Sequence, residues 1–219
     1  MITYEQIIHN EEIRIYVKES DASLAALGYT EHSFAHVTRV AETAGNILKA
    51  LSFPDRVIEL AKIAGFLHDI GNLVNRSDHS QSGAIIAFRI LDKLGMEPHE
   101  ITQIVTAIGN HDEGTGVPVN AVAAALILAD KSDVRRSRVR DKEVNPSDIH
   151  DCVNYSVTFS DLVIDTESST ACLKLTIDTQ FSSVMDYFEI FLGRMVLCRK
   201  AAERLGLHFK LLINDQQLL

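Results

Sequence analysis

The chain has 219 residues, 46% hydrophobic and 23% charged, enough to bury one good core or one core with a small satellite. Its formal net charge of −9 opposes general attraction to a polyphosphate backbone or an anionic bilayer, so neither nucleic acid nor membrane is expected as a partner. The longest apolar run, Ala121 to Ala129, is far below the roughly 18 residues needed to span a bilayer, and no basic-then-apolar segment opens the chain, so a cytoplasmic protein is expected.

In chain order, Thr3 with Gln6 fits a capping box, and Glu11 to Leu27 carries apolar residues at helical spacing before Gly28 stops it. Glu31 to Leu51 bears a stripe of period near 3.6 through Val37, Val40, Ala41, Ala44, Ile47, Leu48 and Leu51. Pro54 opens a further helix that runs to about Asp69. Ser82 to Leu94, Pro98 to about Asn110 and Asn120 to about Asp133 supply three more. Residues 1–150 therefore read as a helical domain with no repeat and no Pro/Ser-rich linker.

The pattern changes after Pro146 and His150. Val153, Tyr155, Val157 and Phe159 alternate with polar residues, as do Leu173, Leu175 and Ile177, which predicts two strands joined through Thr166 to Thr170. A helix from about Ser183 to Leu205 stops at Gly206, and Leu207, Phe209 and Leu211 suit a third strand. Residues 151–219 thus form a small α+β appendage of antiparallel strands plus one helix. So few strands cannot bury both faces alone. Phe181, Val184, Met185, Phe188, Phe191 and Leu192 give the helix a stripe that covers one face, leaving the other for the helical domain or for a homodimer partner. The tail is expected to supply no metal ligand, but to shield the bundle or narrow the pocket mouth. Cys152, Cys172 and Cys198 have no close ligand spacing and an odd count, so they are expected reduced and buried.

The chemistry lies where apolar helices end in ligand-type residues. Ala61 to Leu67 runs into His68-Asp69, Ile101 to Ile108 into Asn110-His111-Asp112, and Ala121 to Ala129 into Asp130. A carboxylate or imidazole so placed is costly unless something pairs with it, and a bound metal would do so. With His36 and His79 the set holds four imidazoles and two carboxylates. Taken alone, His36 on an apolar helix reads as a hydrogen-bonded core histidine; the set points to one convergence. His32, one turn before His36, reads as surface or as a neighbour of the site, and Asp112 and Glu113 as a general base, as partners orienting His111, or as simply facing water. His9, His99, His150 and His208 read as structural.

A cationic run of Lys131, Arg135, Arg136, Arg138, Arg140 and Lys142 faces only Asp133 and Asp141, and fits a solvated helix end or an anion site equally well.

His36-Val37-Thr38-Arg39-Val40-Ala41, Leu67-His68-Asp69-Ile70-Gly71, His79, His111 and Ala129-Asp130 together resemble the ordered motifs of HD-superfamily metal-dependent phosphohydrolases, over about residues 32 to 138. The resemblance implies a mainly α fold, an HD-domain helical bundle. It further implies that His36, His68, Asp69 and Asp130 hold one metal, with His79 and His111 holding a second and Asp69 bridging as the central catalytic residue. Asp78 to Ala84 and Leu128 to Asp133 are similar to segments of bacterial symmetrical dinucleoside-tetraphosphate hydrolases. Gly114 to Pro118 is faintly similar to the HD-GYP phosphodiesterases. Asn72 stands where both groups usually have lysine, and Asn110 and Val117 depart from the HD-GYP pattern, so neither substrate carries over.

The expected activity is hydrolysis of a phosphate ester or anhydride, of a small nucleotide-like molecule, by a metal-activated water. Imidazole and carboxylate ligands suit two divalent transition ions, and Fe, Mn, Zn, Co and Ni all qualify. Arg39, Lys131, Arg135 and Arg136 are candidates for holding substrate phosphate. The alternative is an inactive HD-fold binding module, of which ligand loss would be the signature.

Overall fold

Caps set where the first helices begin. In the computed structural model, which describes residues 1–140 and 149–219, Thr3 and Gln6 exchange reciprocal hydrogen bonds at the start of α1 (Tyr4–His9), and Asn10 caps α2 (Glu11–Ala26). Lys142 and Asp141 of the cationic segment, and Pro146, lie outside the described residues. Gly28 ends α2 at a φ of 81°, a left-handed conformation that glycine adopts without strain. The next helix, α3 (Phe34–Ala50), begins three residues after Glu31, because Ser33 is its cap and Glu31 is bonded to Ser33 and to the Arg138 carbonyl.

α4 (Asp55–Leu67) delivers His68 and Asp69 at its end, and a short 3-10 turn (Ile70–Leu73) follows. Gly65 lets α4 touch α3 at the backbone, since a Cβ there would lie 2.6 Å from the Cα of Ala41. α5 (His79–Lys93) starts three residues before the expected Ser82, so His79 is its first residue. α6 (Pro98–Gly109) and α7 (Ala121–Ser132) begin where Pro98 and the Asn120 cap direct them. The whole run from Val122 to Ala129 is buried, which is why it shows no amphipathic stripe: α7 is central, packed by α3, α4, α6 and the C-terminal helix.

Two expectations for the tail are corrected. The alternation from Val153 does not make a strand there; residues Ile149–Ser156 form helix α8, and only Val157–Asp165 is strand β1. Val153, Asn154, Ser156 and Val157 are all buried while Phe159 is 52% exposed, so burial does not follow the expected alternation. The strands are also not all antiparallel. β1 pairs antiparallel with β2 (Thr170–Ile177), but β3 (His208–Ile213) runs parallel to β2, because α9 (Val184–Arg204) carries the chain back across the sheet. β4 (Gln216–Gln217) closes an antiparallel hairpin through Asn214 and Asp215, both at positive φ, for a sheet order of β1-β2-β3-β4.

The covering stripe of α9 differs from the expected one. Phe191 is buried, with Tyr187, Met195, Cys198, Ala201 and Ala202, whereas Met185 is 76% and Leu192 56% exposed. The α9 side chains meet β2, β3 and α7, so one cluster of buried residues runs from the bundle into the sheet, and residue 150 lies inside α8. No disulfide joins cysteines among the described residues; Cys198 is buried, and Cys152 and Cys172 are partly exposed. Among the described residues no helix is long and apolar enough to cross a membrane.

Candidate metal centre

Five helices or helix ends bring the imidazoles and carboxylates together. His36 comes from α3, His68 and Asp69 from the end of α4, His79 from the start of α5, His111 from just after α6, and Asp130 from the last turn of α7. All four histidines are buried, and so is Asp69. His68 Nε2 lies 3.3 Å from His36 Nε2, 3.1 Å from Asp69 Oδ2 and 3.6 Å from Asp130 Oδ1. His36 Nε2 lies 3.4 Å from Asp69 Oδ2 and 3.5 Å from Asp130 Oδ1. Donor atoms about 2.1 Å from one shared ion would stand roughly 3.0–3.4 Å from each other, so this spacing fits a transition ion. Beside it, His79 Nε2 is 3.2 Å from His111 Nε2 and 3.6 Å from Asp69 Oδ1, forming a second half-site with Asp69 between the two.

The remaining ring nitrogens fix the tautomers. His68 Nδ1 donates to the Gly65 carbonyl at 2.8 Å, His79 Nδ1 to that of Arg76 at 3.1 Å, and His111 Nδ1 to that of Ile108 at 2.6 Å. A carbonyl only accepts, so each Nδ1 carries the hydrogen. His36 Nδ1 is held by the Asp133 carboxylate at 2.7 Å, the partner that orients a metal-bound imidazole and raises its basicity. Each Nε2 then aims a lone pair inward, and lone pairs 3.2 and 3.3 Å apart repel unless a cation or proton lies between them. Asp69 Oδ2 is buried with no hydrogen-bond partner, which a metal would resolve. The donor set therefore fits a divalent transition ion.

Electrostatics point the same way. Burial opposes protonation of His68, but Asp69 and Asp130 overcome it and raise the imidazole to about 10. Burial opposes protonation of His36 too, and Asp130, Asp133 and Asp69 reverse that. His111 is driven well below the usual histidine range by burial and by the positive charges of His68 and Lys131. Asp130 stays well below the carboxylate range despite burial, because Lys131 and the two histidines favour its charged form. The cluster thus carries concentrated negative charge that calls for cations.

The cluster opens into a pocket of about 420 Å³ whose wall includes Asp69, His79, His111, Asp130 and Lys131. Of the residues expected to hold phosphate, only Lys131 is there, ion-paired with Asp130 Oδ2 at 2.8 Å and Glu113 Oε2 at 2.7 Å. Arg39 lies in a separate groove, where it meets Asp133 and the Ser160 carbonyl. Arg135 is bonded to Asp133 and Ser137, and Arg136 to the Tyr155 carbonyl and Asp178. All three are engaged by acceptors within the chain and stand outside the pocket lining.

The pocket instead recruits Arg76, Arg138 and Arg194. Glu113 does not simply face water, since it bridges Lys131 and Arg194 and both cations hold its carboxyl well below the usual range. His32 lines the same pocket, its ring edge-on to His36, and so does His150 of α8. Asp133 stood three residues after Asp130 as a detectable neighbour; Arg194, in another part of the chain, carried no local signal.

Comparison with known proteins identifies the family of the chain. The family model described as "HD domain" matches residues 33–143, half of the chain. An uncharacterized protein of Methanocaldococcus jannaschii is 27% identical over 160 residues, covering 63% of this chain and 61% of that protein. Ribonuclease Y of Lawsonia intracellularis is 36% identical over 128 residues, covering 58% of this chain and 21% of that enzyme. The chain therefore spans less than two thirds of either relative. The crystal structure of a predicted HD superfamily hydrolase from an uncultured Thermotogales bacterium is 25% identical over 58% of this chain and 69% of that one, with a TM-score of 0.46. The match over half of its length makes this chain a member of the HD domain family.

Proposed function

We propose that the protein is a metal-dependent phosphohydrolase that cleaves a phosphate ester or anhydride of a small, nucleotide-like molecule. The observation that carries this reading is the buried convergence of His36, His68, Asp69 and Asp130, with Asp69 Oδ2 facing the two imidazoles but accepting no hydrogen bond, beside a pocket whose wall bears four cationic side chains.

A divalent ion held by these residues would polarise a phosphoryl oxygen and acidify an attacking water. His36, His68, Asp69 and Asp130 would hold it, and His79, His111 and Asp69 would hold a second. Asp133 keeps His36 in the tautomer that presents Nε2 inward, and the carbonyls of Gly65, Arg76 and Ile108 do the same for the other rings. Lys131, fixed between Asp130 and Glu113, offers its ammonium to phosphate oxygens as charge develops. A pocket of about 420 Å³ suits a mononucleotide-sized substrate better than a polymer, and the net charge of −9 supports that choice.

The test is a panel of nucleotides, dinucleoside polyphosphates, cyclic dinucleotides and a short RNA, assayed with chelated protein before and after addition of manganese or iron. Metal-restored release of phosphate or nucleotide from a small substrate is expected. Protein that takes up no transition metal and turns over nothing would instead favour the binding module. Cleavage of RNA alone would transfer the ribonuclease activity named for one relative.

A further inference from the structure

The four cations of the pocket differ in how many of their hydrogen-bond donors are already used. Arg138 gives Nε to the Glu31 carbonyl and Nη1 to the Asp133 carbonyl. Lys131 is shared between Asp130 and Glu113. Arg76 reaches Asn72 Oδ1 and His79 Nε2 through Nη1, each at 3.4 Å. Arg194 is different: it binds Glu113 Oε1 at 3.0 Å through Nε only, and neither terminal Nη group has a partner among the described residues. Its guanidinium lies 4.2 Å from the centroid of the Phe191 ring, which fixes its plane, and the side chain is only 21% exposed. Taking an arginine this far out of water is costly unless its donors are satisfied.

We propose that Arg194, presented by α9, binds a phosphate group of the substrate beyond the His/Asp cluster, so that the C-terminal part of the chain completes the active site. The proposal rests on the hydrolase reading for the nature of the ligand, and on the geometry of Arg194 for its location. The two Nη groups of a guanidinium match two oxygens of one phosphate. Glu113 is the positioning residue: its two oxygens hold Arg194 and Lys131 side by side, and Lys131 in turn contacts Asp130, whose other oxygen faces His36 and His68. Arg194 therefore stands one carboxylate and one ammonium away from the His/Asp cluster. That is a suitable place for a phosphate other than the one attacked, and the chemistry favours substrates with two or more linked phosphates over simple monoesters.

The experiment uses the full chain as wild type, Arg194→Gln and Arg194→Lys, with inorganic pyrophosphate as the calorimetric probe and metal content measured in each sample. Arg194→Gln should keep wild-type metal content while weakening pyrophosphate by about 10- to 100-fold, the range for hydrogen bonds to a charged group. With a nucleoside polyphosphate the loss should fall on KM more than on kcat. Arg194→Lys keeps a cation beside Glu113 without the fork, so it should bind between the two, and it serves if the Gln variant fails to fold. Wild-type pyrophosphate affinity in either variant overturns the proposal while leaving the hydrolase reading intact. Conversely, an Arg194-dependent pyrophosphate site on a protein that holds no metal would support Arg194 as an anion residue and end the hydrolase reading.

Discussion

Asp133 grips Nδ1 of His36 at 2.7 Å, and this contact decides which ring nitrogen faces His68, Asp69 and Asp130. Asp133 is itself buried and held ionised, with His36, Arg138 and Arg135 outweighing the effect of burial. Asp133→Asn keeps an acceptor for Nδ1 and removes the charge. Metal affinity should fall by about 10- to 100-fold, the usual effect of losing such a partner. Competition against a fluorescent chelator measures this, and an unchanged affinity would mean that Asp133 serves packing alone.

Asp69→Ala removes both the unpartnered Oδ2 and the Oδ1 that faces His79. Metal occupancy and turnover should be lost together. Helical content by circular dichroism should stay close to wild type, because the side chain contributes to no helix cap. Wild-type metal content in this variant would contradict the assignment of Asp69.

In metal-free protein the positive charge of protonated His68 stands in for an ion. Its folded value of about 10 lies above the unfolded histidine value of about 6.5, so the stabilisation is complete below about pH 6.5 and is lost as pH rises towards 10. The melting temperature of chelated protein should therefore fall between about pH 7 and 8.5, below the range where an exposed thiol of an unfolded chain ionises. His68→Gln should flatten that slope, whereas a slope of wild-type size in the variant would refute the assignment. Metal binding displaces the same proton, so apparent metal affinity should rise with pH.

A Cβ on Gly71 would lie 1.9 Å from the carbonyl oxygen of His79 and 2.5 Å from the nitrogen of Gly83, both backbone atoms that cannot swing aside. Gly71→Ala should push α5 outward, cost about 1–3 kcal/mol in denaturant unfolding, and weaken the His79 half-site before the His36 one. Unaltered stability together with full metal content would show that α5 can shift at no cost.

Much of this was legible in the sequence because the helices carry their own punctuation. Thr3, Asn120, Gly28 and Gly206 stand where caps and stops were expected, and the three apolar runs ending in His68-Asp69, His111 and Asp130 mark where helix ends meet. What the sequence hid depends on long-range packing. Val153 and Val157 are as compatible with a helical turn as with alternation, and what separates the two readings is the burial of the polar Asn154 and Ser156 between them. The parallel pairing of β3 with β2 follows from the path of α9, not from any residue within the strands. The cationic run was only partly informative for a physical reason: Lys131 and Arg138 line the pocket, Arg135 and Arg136 are engaged by nearby acceptors, and Arg194 reaches the pocket from 58 residues beyond Arg136.

The most direct measurement of the central claim is anomalous X-ray diffraction from crystals of the full chain loaded with manganese. The account predicts an anomalous peak bonded to Nε2 of His36 and His68 and to a carboxylate oxygen of each of Asp69 and Asp130. Manganese bound elsewhere, or a fully loaded crystal with no peak between these four side chains, would contradict it.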